Sequence, residues 1–178
     1  MGVDAIRSNV PEYAKDLRLN LGSIMTTSSL ESDMAWGAAL TAALVSKNEQ
    51  VIQGILEDAK EHLDETHING VKTTAAIMSL TNVWYKFTDL IQDDEAKKLP
   101  PKLRMNAIMN HAGVSPALFE GWGLAASVVN ACGVCVNAHA AQMRKQNLTA
   151  QNIVDIGRIA AVVKAVSDTL SFEKLLGE

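Results

Sequence analysis

An all-α fold is predicted for this 178-residue chain by three features of its sequence. Ala, Leu, Met, Lys and Gln are abundant while aromatic residues make up only 4%, a composition that favours helix over sheet. No stretch alternates apolar and polar residues between hairpin turns, as a half-buried strand requires. Apolar residues recur instead at helical spacing, most clearly at Val51, Ile52, Ile55, Leu56, Ala59 and Leu63, the stripe that one helix face buries.

The elements follow in order. Residues 31–46 are Ala-rich and read as the first helix, and Asn48 is placed to cap the second. Residues 70–90 form a third apolar helix, entered at Gly70. The segment "DDEAKKLPPKLR" (93–104) is a polar connection, with Pro100 and Pro101 excluding helix there. Ser115-Pro116 supplies a cap followed by proline in the first turn, opening a helix toward Asn130. Helices around 133–146 and 150–170 close the chain, the last capped by Thr149. Met78, Met105, Met109 and Met143 are expected to fill the core, and Lys97-Lys98 to lie in a solvated turn.

A repeat underlies this layout. "WGAALTAALVSKNE" from Trp36 aligns with "WGLAASVVNACGVC" from Trp122, and "HINGVKTTAAIMS" (67–79) with "NIVDIGRIAAVVK" (152–164). The chain therefore reads as a single domain over 1–178, with pseudo-repeat copies at roughly 30–90 and 115–171 and with Trp36 and Trp122 anchoring the halves.

Length and charge set limits. A chain of this size buries about 70% of its unfolded surface without staples. A net charge of −4 argues against nucleic acid or an anionic membrane as partner. The N-terminus "MGVDAIRSNVPEYAK" has no basic segment leading into an apolar run, and Met34 to Val45 is too short to cross a bilayer. A soluble cytoplasmic protein is expected. In that reducing compartment two cysteines three residues apart suggest catalysis or metal binding before a structural disulfide.

The chemistry concentrates in "NACGVCVNAHAAQ" (130–142), which holds both cysteines. Cys132 and Cys135 are i and i+3, and Cys135 and His139 are i and i+4, so the three share a helix face. A CxxC at a helix start can close into a disulfide, and the amides there lower the thiolate pKa. Asn130 is expected to cap that start. His139 can take the Cys135 proton or stabilise its thiolate. It needs an acceptor on its other nitrogen, and Glu120, among Leu118, Phe119 and Trp122 on the preceding helix, is best placed. In the first repeat copy Ser46, Glu49 and Gln53 stand where Cys132, Cys135 and His139 stand in the second, so the scaffold does not require the thiols. Three alternatives remain on spacing alone: a redox pair, a zinc site and inert thiols. Zinc lacks a fourth ligand, since His62, His67 and His111 are isolated and distant in sequence. No Gly-rich dinucleotide fingerprint, P-loop or H-E-x-x-H is present, so no bound cofactor is expected and reducing equivalents would arrive by thiol–disulfide exchange.

The chain resembles the AhpD-type alkyl hydroperoxidases, within the carboxymuconolactone decarboxylase-like helical superfamily. The resemblance runs nearly end to end. It includes "PEYAKDLRLNLGSI", "WGAAL", "AAIMSLTNVWYKF" and "LRMNAIMNHAGVSPALFEGWGLAASVVNACGVCVNAHA", and its signature E-x11-C-x2-C-x3-H is met by Glu120, Cys132, Cys135 and His139. It implies an AhpD-like helical subunit in a homotrimer and a peroxidase role in oxidative stress. It also implies reduction of the peroxiredoxin partner AhpC, with electrons from dihydrolipoamide on a lipoylated acyltransferase kept reduced by dihydrolipoamide dehydrogenase. Cys135 would be the nucleophile, Cys132 the proton donor and resolving thiol of the redox disulfide, and His139 with Glu120 the proton relay. One position departs: some members carry a histidine where this chain has Val134. A carboxymuconolactone decarboxylase-like enzyme without thiol chemistry and a non-catalytic zinc-binding module are the competing readings.

Overall fold

The computed structural model describes residues 2–177 and contains, among them, ten α-helices and no strand. Two helices, α1 (Gly2–Asn9) and α2 (Lys15–Ser23), precede those read from the sequence. They are followed by α3 (Ser32–Ser46), α4 (Glu49–Ala59), α5 (Glu65–Leu90), α6 (Asp94–Lys97), α7 (Asn106–Met109), α8 (Pro116–Val129), α9 (Gly133–Lys145) and α10 (Ala150–Leu176). No helix among the described residues is long and apolar enough to cross a membrane.

Capping chemistry explains most of these boundaries. The side chains of Asn48, Ser115 and Thr149 accept from the backbone N–H groups of Val51, Leu118 and Asn152, each satisfying an otherwise orphaned first-turn donor. At Thr149 the partner returns the bond, because Asn152 Oδ1 accepts from the Thr149 N–H at 2.8 Å.

Three expectations are corrected. Helix α5 is entered at Asp64 rather than Gly70, since the Asp64 side chain accepts from the His67 N–H and its carboxylate complements the positive helix end. Gly70 is instead buried within α5, where a Cβ would lie 2.5 Å from Val114 and 3.3 Å from Trp122. The polar connection is not wholly irregular: Asp93 accepts from Glu95 and Ala96 and starts α6, which ends before Pro100. Met109 is 83% exposed and fills no core, unlike Met78 and Met143.

Helices α3, α8 and α10 pack through the centre. Ala35, Ala38, Ala39, Ala42 and Ala43 are all buried on α3, and such small side chains let its backbone approach α8. The buried Trp122 indole lies over Gly37, at which a Cβ would come within 2.2 Å of the ring. Around it Leu124, Ile156, Ile159 and Val163 are buried, each worth about 1.5–3 kcal/mol relative to exposure.

The stretches aligned as repeats lie on α3–α5 and α8–α10. Their caps pair with a different register from the Trp-Gly alignment. The left-handed residues Lys47 (φ 63°) and Ala131 (φ 51°) precede the caps Asn48 and Cys132. Paired by cap, Asn48 and Val51 stand opposite Cys132 and Cys135, so in either register the first copy has no thiol.

Asp155 fastens the chain before α3 to α10. Its carboxylate is buried and accepts from Ser29 N and Oγ, both at 2.8 Å, from Gln151 at 2.9 Å and from Arg158 at 3.1 Å. Burial pushes its pKa up, but the hydrogen bonds from Ser29 and Gln151 and the Arg158 charge outweigh it and hold the group below its ordinary value. A carboxyl depressed in the folded state contributes stability above its unfolded pKa of about 3.9 and loses it as pH falls toward the folded value. Asp155→Ala is therefore expected to destabilise the neutral protein by about 2–3 kcal/mol. Urea midpoints at pH 7, 4 and 3 should converge between variant and wild type as the medium is acidified.

Candidate active site

Cys132 occupies the cap position of α9 and Cys135 its first turn. This corrects the expected role of Asn130, which ends α8 instead. The Asn130 N–H donates to the Ala126 carbonyl at 3.0 Å and Ala131 adopts a left-handed φ, so the chain turns sharply before Cys132. The two sulfurs are joined in a disulfide with a Cα–Cα distance of 5.3 Å. First-turn amides of α9 have no carbonyl partner within the helix, so a thiolate released at Cys135 would sit in the positive field of the helix start.

The sulfurs differ in access. Cys135 lines a cavity of about 370 Å³, whereas Cys132 is fully buried and does not reach it. His139 and Glu120 line the same cavity. His139 Nδ1 is 2.7 Å from Glu120 Oε2, with the two side chains 12% and 14% exposed. An ionised carboxylate only accepts, so Nδ1 donates and the remaining ring nitrogen, Nε2, is left to exchange protons. Cys135, His139 and Glu120, separated by up to nineteen residues in sequence, thus share one site, with Cys132 behind it. Among the described residues no three His, Cys, Asp or Glu side chains gather as a metal site.

The remaining walls are largely apolar: Met78, Tyr85, Ile108, Phe119, Val134 and Ala138. Phe119 stands edge-on to His139, with centroids 6.4 Å apart, and edge-on to His111 at 5.7 Å. His111, distant in sequence, is therefore near the site in space without lining it. His62 stacks on Trp36 and His67 meets the edge of Trp122, so neither joins the thiols.

Gly123 went unread in the sequence and governs the imidazole. A Cβ built there would lie 2.6 Å from His139 Cε1 and 3.0 Å from both ring nitrogens. The ring rests directly on the α8 backbone, one turn beyond Glu120. Gly123→Ala gains about 1 kcal/mol of helix propensity, against an overpacking cost of about 1–3 kcal/mol. The fold should survive, but the ring must leave Glu120. We expect alkylation of reduced Cys135 at pH 7 to slow on the order of tenfold, read by mass spectrometry after timed quenching. A signal for Gly123 existed in the sequence, as it belongs to the repeated Trp-Gly pair.

Comparisons with known proteins place the chain among relatives. The carboxymuconolactone decarboxylase family matches residues 94–175. The alkyl hydroperoxide reductase AhpD of Rhodospirillum centenum is 44% identical over 176 residues, covering 99% of this chain and 94% of that protein. The Streptomyces avermitilis AhpD is 40% identical over 178 residues, with both proteins covered in full. The AhpD of Maricaulis maris is 39% identical over 173 residues, covering 97% of this chain and 99% of that protein.

Proposed function

The chain belongs to the AhpD-type alkyl hydroperoxide reductases, and from that membership we propose that it is an antioxidant thiol peroxidase cycling between a dithiol and the Cys132–Cys135 disulfide. The observation that carries the reading is the Glu120–His139 pair at 2.7 Å lining the same cavity as Cys135. In the dithiol form His139 takes the Cys135 proton while Glu120 orients the ring and stabilises the imidazolium. The thiolate attacks the distal oxygen of the hydroperoxide, the O–O bond breaks, and the alkoxide takes the His139 proton and leaves as alcohol. Cys135 is now a sulfenic acid. The Cys132 thiol displaces water from it and closes the disulfide.

Two electrons and two protons must return. We assign them to dihydrolipoamide on a lipoylated acyltransferase served by dihydrolipoamide dehydrogenase. Attack by an external thiolate at Cys135 fits the greater access of that sulfur. The same dithiol would reduce the disulfide of an AhpC peroxiredoxin, being oxidised as AhpC is reduced. With Val134 on the cavity wall, the relay works through His139 without a second imidazole. The setting is cytoplasmic, where donor thiols are kept reduced. A homotrimer accompanies the reading, and exposed Leu80, Val83, Phe87 and Leu90 along α5 supply an apolar stripe at spacing suited to helix packing. Light scattering on the native protein reads the number of copies.

The test is alkyl hydroperoxide turnover with dihydrolipoamide, thioredoxin or glutathione as sole donor, repeated with AhpC present. Turnover with dihydrolipoamide far above the other two supports the donor assignment. Absence of thiol-dependent turnover with every donor sinks the reading.

A further inference from the structure

Asn82 lies on α5, yet both ends of its amide engage the segment that delivers Cys132. Its Nδ2 donates to Ser127 Oγ at 3.0 Å and its Oδ1 accepts from Asn130 Nδ2 at 3.0 Å. The Ser127 carbonyl in turn accepts the Cys132 N–H at 3.1 Å. One helical turn further along α5, Lys86 Nζ donates to the Asn130 carbonyl at 2.9 Å. Asn82 is 1% exposed and Ser127 fully buried. Between the clamped residues Ala131 holds φ at 51°, a left-handed conformation that non-glycine residues seldom adopt. Backbone bonds close the turn locally, from Ala131 N–H to the Val128 carbonyl and from Cys132 N–H to the Ser127 carbonyl, both at 3.1 Å, and side chains from a separate helix brace it from outside. Asn82 also lines the cavity into which Cys135 opens.

We propose that Asn82 is a positioning residue for the thiol pair, clamping the α8–α9 turn so that Cys132 stays within bonding reach of Cys135. The inference rests on the dithiol–disulfide cycle proposed above. It concerns the equilibrium in which the dithiol gives two electrons and two protons to glutathione disulfide, forming the Cys132–Cys135 bond and two glutathione thiols. Ring closure in a protein draws its advantage from holding the second thiol in place. Loosening the turn lowers that advantage, while the thiols and the Glu120–His139 pair remain.

The experiment is redox equilibration of the full-length protein in glutathione buffers, with the two states counted by thiol labelling. Asn82→Ala is expected to lower the equilibrium constant for disulfide formation about tenfold, a potential about 30 mV less negative. Asn130→Ala, a milder change at a half-buried position, should move it the same way. The double variant should fall no further than the larger single effect, because both break one network. Asn48→Ala controls for destabilisation alone. It removes a buried asparagine whose Nδ2 donates to the Ser167 carbonyl and Ser171 Oγ, between α4 and α10, neither of which carries a thiol, and should leave the constant within twofold. Folded Asn82→Ala and Asn130→Ala proteins with wild-type constants overturn the clamp alone. A wild-type chain that forms no disulfide in any buffer overturns the thiol cycle and the clamp with it.

Discussion

Cys135→Ser is expected to abolish alkyl hydroperoxide turnover, with a loss on the order of 10⁴-fold or more, the scale on which removing a nucleophile disables covalent catalysis. The substitution changes one atom at a position that is 6% exposed, so the fold and the cavity should persist. What disappears is ionisability. A thiol in the first turn of α9 releases its proton near neutral pH when the helix field and a neighbouring imidazole favour the anion, whereas a hydroxyl in the same place stays protonated. The Glu120–His139 bond does not involve the sulfur and should survive, which attributes the loss to the nucleophile. Hydroperoxide consumption with dihydrolipoamide in excess measures it. Retention of the wild-type rate would remove the thiol from the mechanism, and turnover of a lactone by the same variant would favour the decarboxylase-like reading.

Legibility in the sequence followed the range of the interactions concerned. Helix starts set by local chemistry are readable, because Asn48, Ser115 and Thr149 each open a helix with a side chain that accepts from the backbone N–H three residues on. The start of α5 was missed because Gly70 looks like a boundary, whereas its lack of a side chain serves packing against Val114 and Trp122. The first two helices are hard to read because each leaves little apolar period: α2 buries only Leu21, and α1, eight residues long, buries only Gly2 and Ile6. Within the site the Cys135–His139 spacing is a property of one helix and could be read directly. Glu120 was reachable because Leu118, Phe119 and Trp122 around it make a carboxylate anomalous. Asn82 and Gly123 were not, since their importance lies in contacts between helices: an amide on α5 against a turn at Ser127 and Asn130, and a bare backbone on α8 beneath an imidazole on α9. Sequence spacing carries no record of which helix faces which.

Cys132→Ser should produce a different defect, and the contrast assigns the order of events. Serine is a better helix cap than cysteine, so the start of α9 should hold or tighten, its hydroxyl accepting from first-turn amides that the Cys132 side chain leaves uncapped. Cys135, still in the cavity with His139 and Glu120, should react with one equivalent of hydroperoxide and stop as the sulfenic acid. No second thiol is then in reach to expel water. A dimedone adduct at Cys135, identified by peptide mass, is the expected signature, together with a stoichiometric burst followed by a steady rate reduced about 10²-fold or more, because an external thiol in dilute solution replaces one held in place. Cys135→Ser should give neither burst nor adduct. The asymmetry follows from access: Cys132 is fully buried and outside the cavity, so a peroxide or a partner sulfur approaching through that opening meets Cys135 first. An adduct at Cys132 in the Cys135→Ser protein, with none at Cys135 in the Cys132→Ser protein, would reverse the roles and require the α8–α9 turn to open before attack.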